Sequence, residues 1–165
     1  MEDAEAISAL VNSAYRGESS KRGWTTEADL IGGQRTDPEI LRALIADQQN
    51  SVLVRYKDGV LVACVFLQKK GTRAYLGMLT VRPDHQAGGI GKQLLSAAEE
   101  WAKDNWKVDT IEMTVIQKRV ELISWYERRG YINTRRTQPF PYGDARFGLP
   151  KVDDLEFVVL EKSVL

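Results

Sequence analysis

A glycine-rich turn is the part of this sequence whose residue types and spacing most clearly permit chemistry. It reads Val81-Arg-Pro-Asp-His-Gln-Ala-Gly-Gly-Ile-Gly-Lys92, after a predicted strand and at the start of a predicted helix. Its glycines let the backbone approach a ligand with the N–H groups turned outward. The first N–H groups of a helix have no partner within it, and the helix dipole makes that end positive. The turn therefore predicts a phosphate or pyrophosphate site, to which Lys92 could add a charge.

Two common phosphate-binding motifs do not fit this turn. The loop of nucleotide triphosphatases needs a glycine five residues before its Gly-Lys pair and a Ser or Thr after it, but Gln86 and Gln93 stand there. The dinucleotide pattern G-x-G-x-x-G fails because Gly89 and Gly91 are followed by Leu94. A glycine-rich helix start without any ligand is the structural alternative.

A second segment, beyond one more predicted strand, carries adjacent aromatic side chains. It reads Trp125-Tyr126-Glu-Arg-Arg-Gly130-Tyr131. Tyr126 follows Leu122 by four residues and Ile123 by three, so it points inward on its predicted helix. An inward phenol is either a proton donor at a site or a core aromatic whose hydroxyl is satisfied.

Together the two segments resemble the GNAT superfamily of N-acetyltransferases. Gln86-x-x-Gly89-x-Gly91 is similar to the family's coenzyme A pyrophosphate loop, and residues 125–131 to its aromatic-Tyr-x-x-x-Gly-aromatic segment. The resemblance spans roughly residues 52–160. It implies acetyl-CoA as acetyl donor, direct attack of an amine on the thioester without an acyl-enzyme, and a tyrosine that protonates the departing thiolate. Tyr126 matches that tyrosine, and a phenol near pKa 10 facing a thiol near 8.5 is uphill by roughly 2 kcal/mol.

The resemblance also implies where the coenzyme lies, in a cleft where the strands 73–81 and 110–116 splay apart. The backbone of Leu79, Thr80 and Val81 would bind the pantetheine arm. Backbone N–H groups of the glycine turn would hold the pyrophosphate, with contributions from Gln86, Ala87, Gly88, Gly89, Ile90, Gly91 and Lys92.

The helix that carries Tyr126 departs from the family's pattern. The family often has an asparagine seven residues before the tyrosine and an alanine four before it, whereas this chain has Arg119 and Leu122. Arg119 is therefore expected to contribute to the coenzyme site by meeting a phosphate.

A general base is not singled out by the sequence. Freeing an alkylamine of pKa about 10.4 at pH 7 costs about 4.6 kcal/mol, against about 1.4 kcal/mol for an α-amine near 8. Some relatives place a glutamate on the strand before the glycine turn, but residues 74–81 contain no carboxylate. Glu112 and Glu27 are the candidates, with a salt-bridged strand residue and a first-turn helix acid as their structural alternatives. A water chain to solvent is the third possibility.

Two loop segments could wall an acceptor pocket, one with Trp24 and Thr25 and the other with Tyr142. Ordinary packing is the alternative for both. These loops carry no signature of a particular acceptor. We expect the acceptor to be the primary amine of a small molecule. A protein N-terminus or lysine is the alternative within the enzyme class. A catalytically silent CoA-binding module is the alternative outside it, and it would have no use for Tyr126.

The elements that must position these residues alternate in type, which predicts one α/β domain over residues 1–165 with a mixed, partly parallel sheet and flanking helices. Helices are predicted at 5–15, from Thr26, at 37–48, 89–104 and 117–129, and strands at 51–57, 60–69, 73–81, 110–116, 131–136 and 155–160. The chain opens into a helix where members of the family usually begin with a strand. The first strand is therefore expected to be missing or the N-terminus shortened.

The composition disfavours several other classes. The 23 basic and 23 acidic residues give a net charge of zero, so no nucleic-acid partner is expected. A single cysteine, Cys64, and a single histidine, His85, argue against an internal disulfide and a metal site. Cys64 is expected to be a small buried hydrophobe and His85 an exposed turn residue. No apolar run predicts a membrane span. A cytoplasmic enzyme is the expectation, and the resemblance to a family in which dimers are common implies a homodimer.

Overall fold

Six strands form one mixed sheet in the computed structural model, which describes residues 3–21, 23, 26–144 and 148–165. A separate two-stranded sheet pairs Ile31–Gly32 with Leu149–Pro150. The strands are β1 (Ile31–Gly32), β2 (Asn50–Lys57), β3 (Val60–Lys70), β4 (Arg73–Val81), β5 (Thr110–Ile116), β6 (Ile132–Pro139), β7 (Leu149–Pro150) and β8 (Glu156–Ser163). The order in the main sheet is β2-β3-β4-β5-β8-β6, and β4 with β5 is its parallel pair. The predicted mixed, partly parallel sheet is confirmed.

Helices cover both faces of the main sheet. They are α1 (Asp3–Tyr15), α2 (Gly17–Ser20), α3 (Pro38–Ala46), α4 (Ile90–Trp106) and α5 (Val120–Glu127). Successive residues of β3 point to opposite faces of the sheet, where they contact different helices. Cys64 packs with α1 and α3 on one face, whereas Ala63 and Val65 pack with α4 and α5 on the other. Cys64 is buried, as predicted.

The parallel pair at the centre of the sheet is short. Only Arg73–Tyr75 of β4 pairs with Thr110–Glu112 of β5, and beyond these residues the ladder between the two strands stops. A β-bulge follows in β4, because Cys64 pairs with Thr80 but Phe66 pairs with Gly77. Met78 lies in the bulge with a φ of 50°, a left-handed conformation that is uncommon for a residue with a side chain. The bulge and the short ladder leave one side of β4 without a neighbouring strand.

The structure corrects two of the predicted helices. Thr26 does not begin a helix: residues 28–30 form a turn that leads into β1, and the short helix of this region is α2. The helix predicted from Gln117 begins at Val120 instead. The backbone N–H of Gln117 donates to the Glu156 carbonyl at 2.9 Å, so β8 holds this residue outside the helix.

Candidate active site

The glycine-rich turn leaves β4 and enters α4, as its sequence predicts. Pro83–Gly88 form a 3₁₀ turn, and Gly89 caps α4 with a φ of 76°. No atom of the described residues, the adjoining ones aside, lies within 4 Å of the position of a Cβ on Gly89, so the turn is open at this residue. A Cβ on Gly91 would make an ordinary contact with Val81 Cγ2 at 3.4 Å, so α4 starts beside the end of β4. This is the backbone arrangement that an anion-binding helix start requires.

A cavity of about 250 Å³, the turn pocket, lies between this turn and α5. Its lining residues are Tyr15, Leu79, Val81, Gln86, Gly89, Gly91, Lys92, Leu122, Trp125, Tyr126 and Arg129. Lys92 and Arg129 are the charged side chains among its described lining residues, and both are cations. The Arg129 guanidinium lies 4.0 Å from the centre of the Trp125 ring and donates to the Trp125 carbonyl at 3.0 Å. The pocket thus offers two cations and an aromatic face beside free helix N–H groups.

The open side of β4 forms the inner wall of the turn pocket. The Tyr15 hydroxyl donates to the Leu79 carbonyl, and Gln86 Nε2 donates to the Val81 carbonyl at 2.9 Å. The backbone groups of Leu79 and Val81 therefore face away from β3. Thr80, between them, pairs with Cys64 of β3, and its hydroxyl donates to the Met78 carbonyl at 2.9 Å. Because strand residues alternate, Thr80 directs its backbone to β3 rather than to the pocket.

Three turn residues of the predicted coenzyme site, Ala87, Gly88 and Ile90, are not among the lining residues of the turn pocket. Gly88 and Ile90 border a separate surface depression that also contains His85, and Ala87 lies in the turn beside them. His85 is half-buried and its Nδ1 lies 3.0 Å from the Asp84 carboxylate, so it is less exposed than expected.

Tyr126 lies at the inner end of the turn pocket on α5. Its side chain is 5% exposed and is packed edge-on against Trp125 and Tyr131, with ring centres 5.1 and 5.7 Å away. In the described part of the chain no group forms a hydrogen bond with its hydroxyl. Burial raises the pKa of the Tyr126 phenol, which keeps it protonated at neutral pH. Tyr126 thus presents an available O–H.

A second cavity of about 200 Å³, the arginine pocket, continues from the turn pocket past Tyr126. The two cavities share Tyr15, Leu79, Leu122 and Tyr126. The arginine pocket is further lined by Arg16, Glu27, Ile31, Arg35, Tyr75, Leu76, Gly77, Met78, Met113, Thr114, Val115, Ile116, Phe140, Pro141 and Phe157. It therefore occupies the space where β4 and β5 separate. Two ligands that entered by the two cavities would meet beside Tyr126.

Glu27 lies in this pocket with both carboxylate oxygens engaged. Arg16 donates to Oε1, and Arg119 donates to Oε2 at 3.1 Å. Burial lowers the pKa of the Arg16 guanidinium, and the Glu27 charge counteracts that effect. Arg119, expected to meet a coenzyme phosphate, instead pairs with Glu27 and does not line the turn pocket.

Two further predicted site residues, Glu112 and Tyr142, do not line either pocket. The Glu112 carboxylate lies 3.5 Å from Arg73 Nε and 3.8 Å from Lys70 Nζ, in the salt-bridged arrangement that was its structural alternative. Tyr142 is 44% exposed, and its hydroxyl donates to the Val152 carbonyl and accepts from the Leu155 N–H. Its neighbours Phe140 and Pro141 line the arginine pocket in its place. Trp24 and Thr25 lie outside the described residues.

Sequence reasoning missed Tyr15 and Arg35, which the fold brings to these pockets from the N-terminal segment. Tyr15 is the last residue of α1 and lines both cavities. Arg35 lies just before α3, and its guanidinium is 5.4 Å from the centre of the Tyr15 ring. The available signal was weak: an aromatic residue at a helix end and a cation in a loop are common on any surface.

Within the described residues, no group of three His, Cys, Asp or Glu side chains could hold a metal ion. No helix in that part of the chain is both long and apolar enough to cross a membrane.

Comparison with known proteins finds one family model and several solved structures to which this chain is similar. The model of the acetyltransferase (GNAT) family matches residues 6–131. No match was found among the curated proteins. An N-acetyltransferase from Staphylococcus aureus has a similar structure, with a TM-score of 0.70 at 12% identity over 98% of this chain and 92% of that chain.

Two further solved structures share the fold. The ribosomal-protein-S18-alanine N-acetyltransferase of Escherichia coli has a TM-score of 0.63 at 17% identity, over 78% of this chain and 77% of its own. A putative streptothricin acetyltransferase from Bacillus anthracis, in complex with acetyl coenzyme A, has a TM-score of 0.61 at 18% identity, over 74% of this chain and 66% of its own.

Proposed function

The chain belongs to the acetyltransferase (GNAT) family, and from that premise we propose that it transfers an acetyl group from acetyl-CoA to the primary amine of a small molecule. The observation that carries this proposal is the junction of the two pockets. One pocket has the features of a phosphate site, the other has space for an acceptor of modest size, and Tyr126 lies between them with its hydroxyl available.

The turn pocket suits coenzyme A by the chemistry of its lining. The N–H groups at the start of α4, with Lys92 and Arg129, would hold the pyrophosphate and further phosphate charge. The backbone N–H groups of Leu79 and Val81, on the open side of β4, would donate to the amide carbonyls of the pantetheine arm, since the two carbonyls there already accept from Tyr15 and Gln86. The thioester would then lie beside Tyr126.

When bound, acetyl-CoA supplies a thioester carbonyl that the acceptor amine attacks, so that an amide bond forms and the C–S bond breaks. Tyr126 donates its phenolic proton to the sulfur of the leaving group. With ordinary pKa values this transfer is uphill by about 2 kcal/mol. A positioned donor remains useful at this cost, and water returns a proton to the Tyr126 phenolate after each transfer.

The acceptor amine must lose its proton, and we propose that water removes it. The carboxylate in the arginine pocket, Glu27, already accepts hydrogen bonds from two guanidinium groups. Glu112 lies in an ion-pair cluster outside both pockets. A substrate amine of low pKa is consequently favoured, since its deprotonation costs less free energy at neutral pH.

The test is a calorimetric titration of the purified protein with acetyl-CoA, with ATP and NAD in parallel. We expect acetyl-CoA to bind selectively in the micromolar range, and amines to be acetylated with release of free thiol. Failure of a folded sample to bind acetyl-CoA would overturn the proposal. Tight binding without transfer to any amine, peptide N-termini and lysine included, would instead indicate a coenzyme-binding module.

The variant Gly89→Glu locates the site. It places bulk and negative charge where the pyrophosphate would lie, so we expect at least a hundredfold loss of acetyl-CoA affinity. Gly59→Glu is its matched control: Gly59 has a φ of 77° against 76° for Gly89, and in the described part of the chain only adjoining residues lie within 4 Å of a Cβ at either position. Both variants carry the same backbone strain, so equal affinities in the two would move the site away from the glycine turn.

A further inference from the structure

The arginine pocket has an excess of positive charge. Among the residues that the structure describes, its charged lining side chains are Arg16, Glu27 and Arg35, so one carboxylate faces two guanidinium groups. The Arg119 guanidinium, which is not among the lining groups, donates to Glu27 Oε2 at 3.1 Å. Glu27 is therefore shared by two arginines before Arg35 is counted. An acceptor in this pocket would experience a field that favours an anion.

Arg35 is the cation of this set that has no carboxylate partner in the described part of the chain. Its position is nevertheless fixed. Its backbone N–H donates to Asn12 Oδ1 at 2.7 Å, and its guanidinium lies over the Tyr15 ring, 5.4 Å from the ring centre. Stacking on an aromatic ring leaves the edge of a guanidinium, with its N–H donors, free for a planar anion.

We infer that the acceptor carries a carboxylate as well as its amine, and that Arg35 binds that carboxylate. This inference rests on the proposed function and specifies its substrate class. Tyr15 connects the two ends of the arrangement, because its ring supports Arg35 and its hydroxyl bonds the Leu79 carbonyl at the junction of the pockets. A carboxylate at Arg35 directs the amine of the same molecule toward Leu79 and Tyr126.

The size and charge of the pocket narrow the class further. Its volume of about 200 Å³ equals roughly seven water molecules at about 30 Å³ each in the liquid, enough for an amino acid with a small or medium side chain. A polyamine or another polycation would bring further positive charge against Arg16 and Arg35, and like charges at close range are repelled. The acceptor is therefore a small amino acid-like molecule rather than a polycationic one.

The experiment compares matched acceptors with the wild-type protein and saturating acetyl-CoA. Each set contains an amino acid, its primary amide and the amine that lacks the carboxyl group, all with one side chain. Release of the free thiol gives kcat/KM, expressed per unprotonated amine at the assay pH, and calorimetry on the complex with CoA, which has no acetyl group to transfer, gives binding of the same compounds. We expect each preferred amino acid to exceed its amide and amine by about 10- to 100-fold, the range for a hydrogen bond between charged groups.

Three variants assign that preference to Arg35. Arg35→Gln should remove most of the advantage of the carboxylate, chiefly through KM, while acetyl-CoA affinity stays within a few-fold. Arg35→Lys keeps the charge without the fork and should restore part of the preference. Arg42→Gln is the control, because Arg42 pairs with Glu5 on the surface and lies outside both pockets.

The outcomes separate this inference from the proposal beneath it. If acetyl-CoA binds and amides or simple amines react as well as their amino acids, the carboxylate inference is wrong and the acetyltransferase proposal stands. If no compound reacts and no carboxylate binds the CoA complex, the carboxylate inference is also wrong, and failure of peptide N-termini and lysine to react would then indicate a coenzyme-binding module. Loss of preference in Arg42→Gln as well as Arg35→Gln would also overturn the role of Arg35. Absence of acetyl-CoA binding would overturn both proposals.

Discussion

Three buried tyrosines of similar environment differ in what their hydroxyl groups contact, and that difference indicates their roles. The Tyr15 hydroxyl donates to the Leu79 carbonyl, and that of Tyr131 donates to Glu99 Oε2 at 2.8 Å. Both are structural contacts between distant parts of the chain. The Tyr126 hydroxyl has no partner among the described residues and lies where the two pockets meet. Among the described residues its oxygen is not one of the fully enclosed side-chain atoms that lack a partner, so the O–H reaches the cavities and can donate to a ligand or water.

We therefore predict that Tyr126→Phe lowers kcat by about 100- to 10,000-fold, the usual contribution of a positioned proton donor. The affinity for acetyl-CoA should remain within a few-fold, because the ring and its packing are retained. Stopped-time assays of thiol release and calorimetry measure the two effects. Tyr56→Phe on the exposed surface of β2 is the control. Equal losses of turnover and of coenzyme affinity would rule out the proton-donor role.

Cys64 offers a second prediction at this scale. Burial raises the pKa of its thiol to about 12, so the reactive thiolate is scarce at neutral pH. A chromogenic disulfide reagent at pH 8 should leave the native protein unmodified and should label one thiol per chain in denaturant. Rapid labelling of the native protein would show that the thiol is accessible.

Which site residues the sequence could predict depended on how local their signal is. Gly89, Gly91 and Lys92 line the turn pocket, and they belong to one contiguous turn whose spacing carries the information. The ion pair of Glu27 with Arg119 joins residues 92 positions apart, and no local pattern encodes it. A charge assigned to a phosphate or to base catalysis from spacing alone is easily diverted by such a long-range partner.

At the scale of elements, the predicted bounds were most accurate for two strands at the centre of the sheet, whereas β6 and β8 end three residues later than predicted and β1 and β7 were not predicted. β4 and β5 have the predicted bounds, since alternating side chains and a following proline or polar turn define them. Thr26 failed as a helix start because its hydroxyl is held by Ser20 and by the Ala28 N–H, which stabilises a turn. The bulge at Met78 has no sequence signal, because an extra residue in a strand shows only against its partner.

The start of α3 gives a prediction about stability. Asp37 Oδ1 accepts from the Ile40 N–H at 2.8 Å, and Pro38 follows at the first helical position. Asp37→Ala removes this cap and should lower the free energy of unfolding by about 1 kcal/mol, measured by urea titration. Asp37→Asn keeps an acceptor oxygen and should stay close to wild type. A destabilised Asn variant with a stable Ala variant would contradict the capping role.

At the scale of the whole molecule, buried acids that titrate late should make the fold sensitive to alkali. Burial raises the pKa of Tyr126, of Tyr131 beside Glu99, and of the Cys64 thiol. The native state therefore holds these protons at pH values where the unfolded chain has released them. Their contribution to stability is complete below about pH 8 and falls as the pH rises above the unfolded values of about 8.5 to 10.

We predict that the urea midpoint is lower at pH 10.5 than at pH 8. Each such group should lower the free energy of unfolding by up to about 1.4 kcal/mol per pH unit. Tyr131→Phe removes one titrating group, so its midpoint should fall less steeply with pH than that of the wild type. A midpoint constant over this range would show that these groups do not remain protonated in the native state.

Because β4 and β5 pair over only three residues each, we expect the stability of the native state to depend on the concentration of acetyl-CoA. The amides of Leu79 and Val81 lie on the side of β4 that lacks a neighbouring strand, so their hydrogens should exchange with solvent in the free protein. If the pantetheine arm completes the sheet there, saturating acetyl-CoA should slow that exchange at least tenfold, as measured by mass spectrometry of deuterated peptides. At a hundred times its Kd the ligand also adds about 2.7 kcal/mol to unfolding. A cell poor in acetyl-CoA would then hold a pool of this protein that unfolds and is degraded sooner.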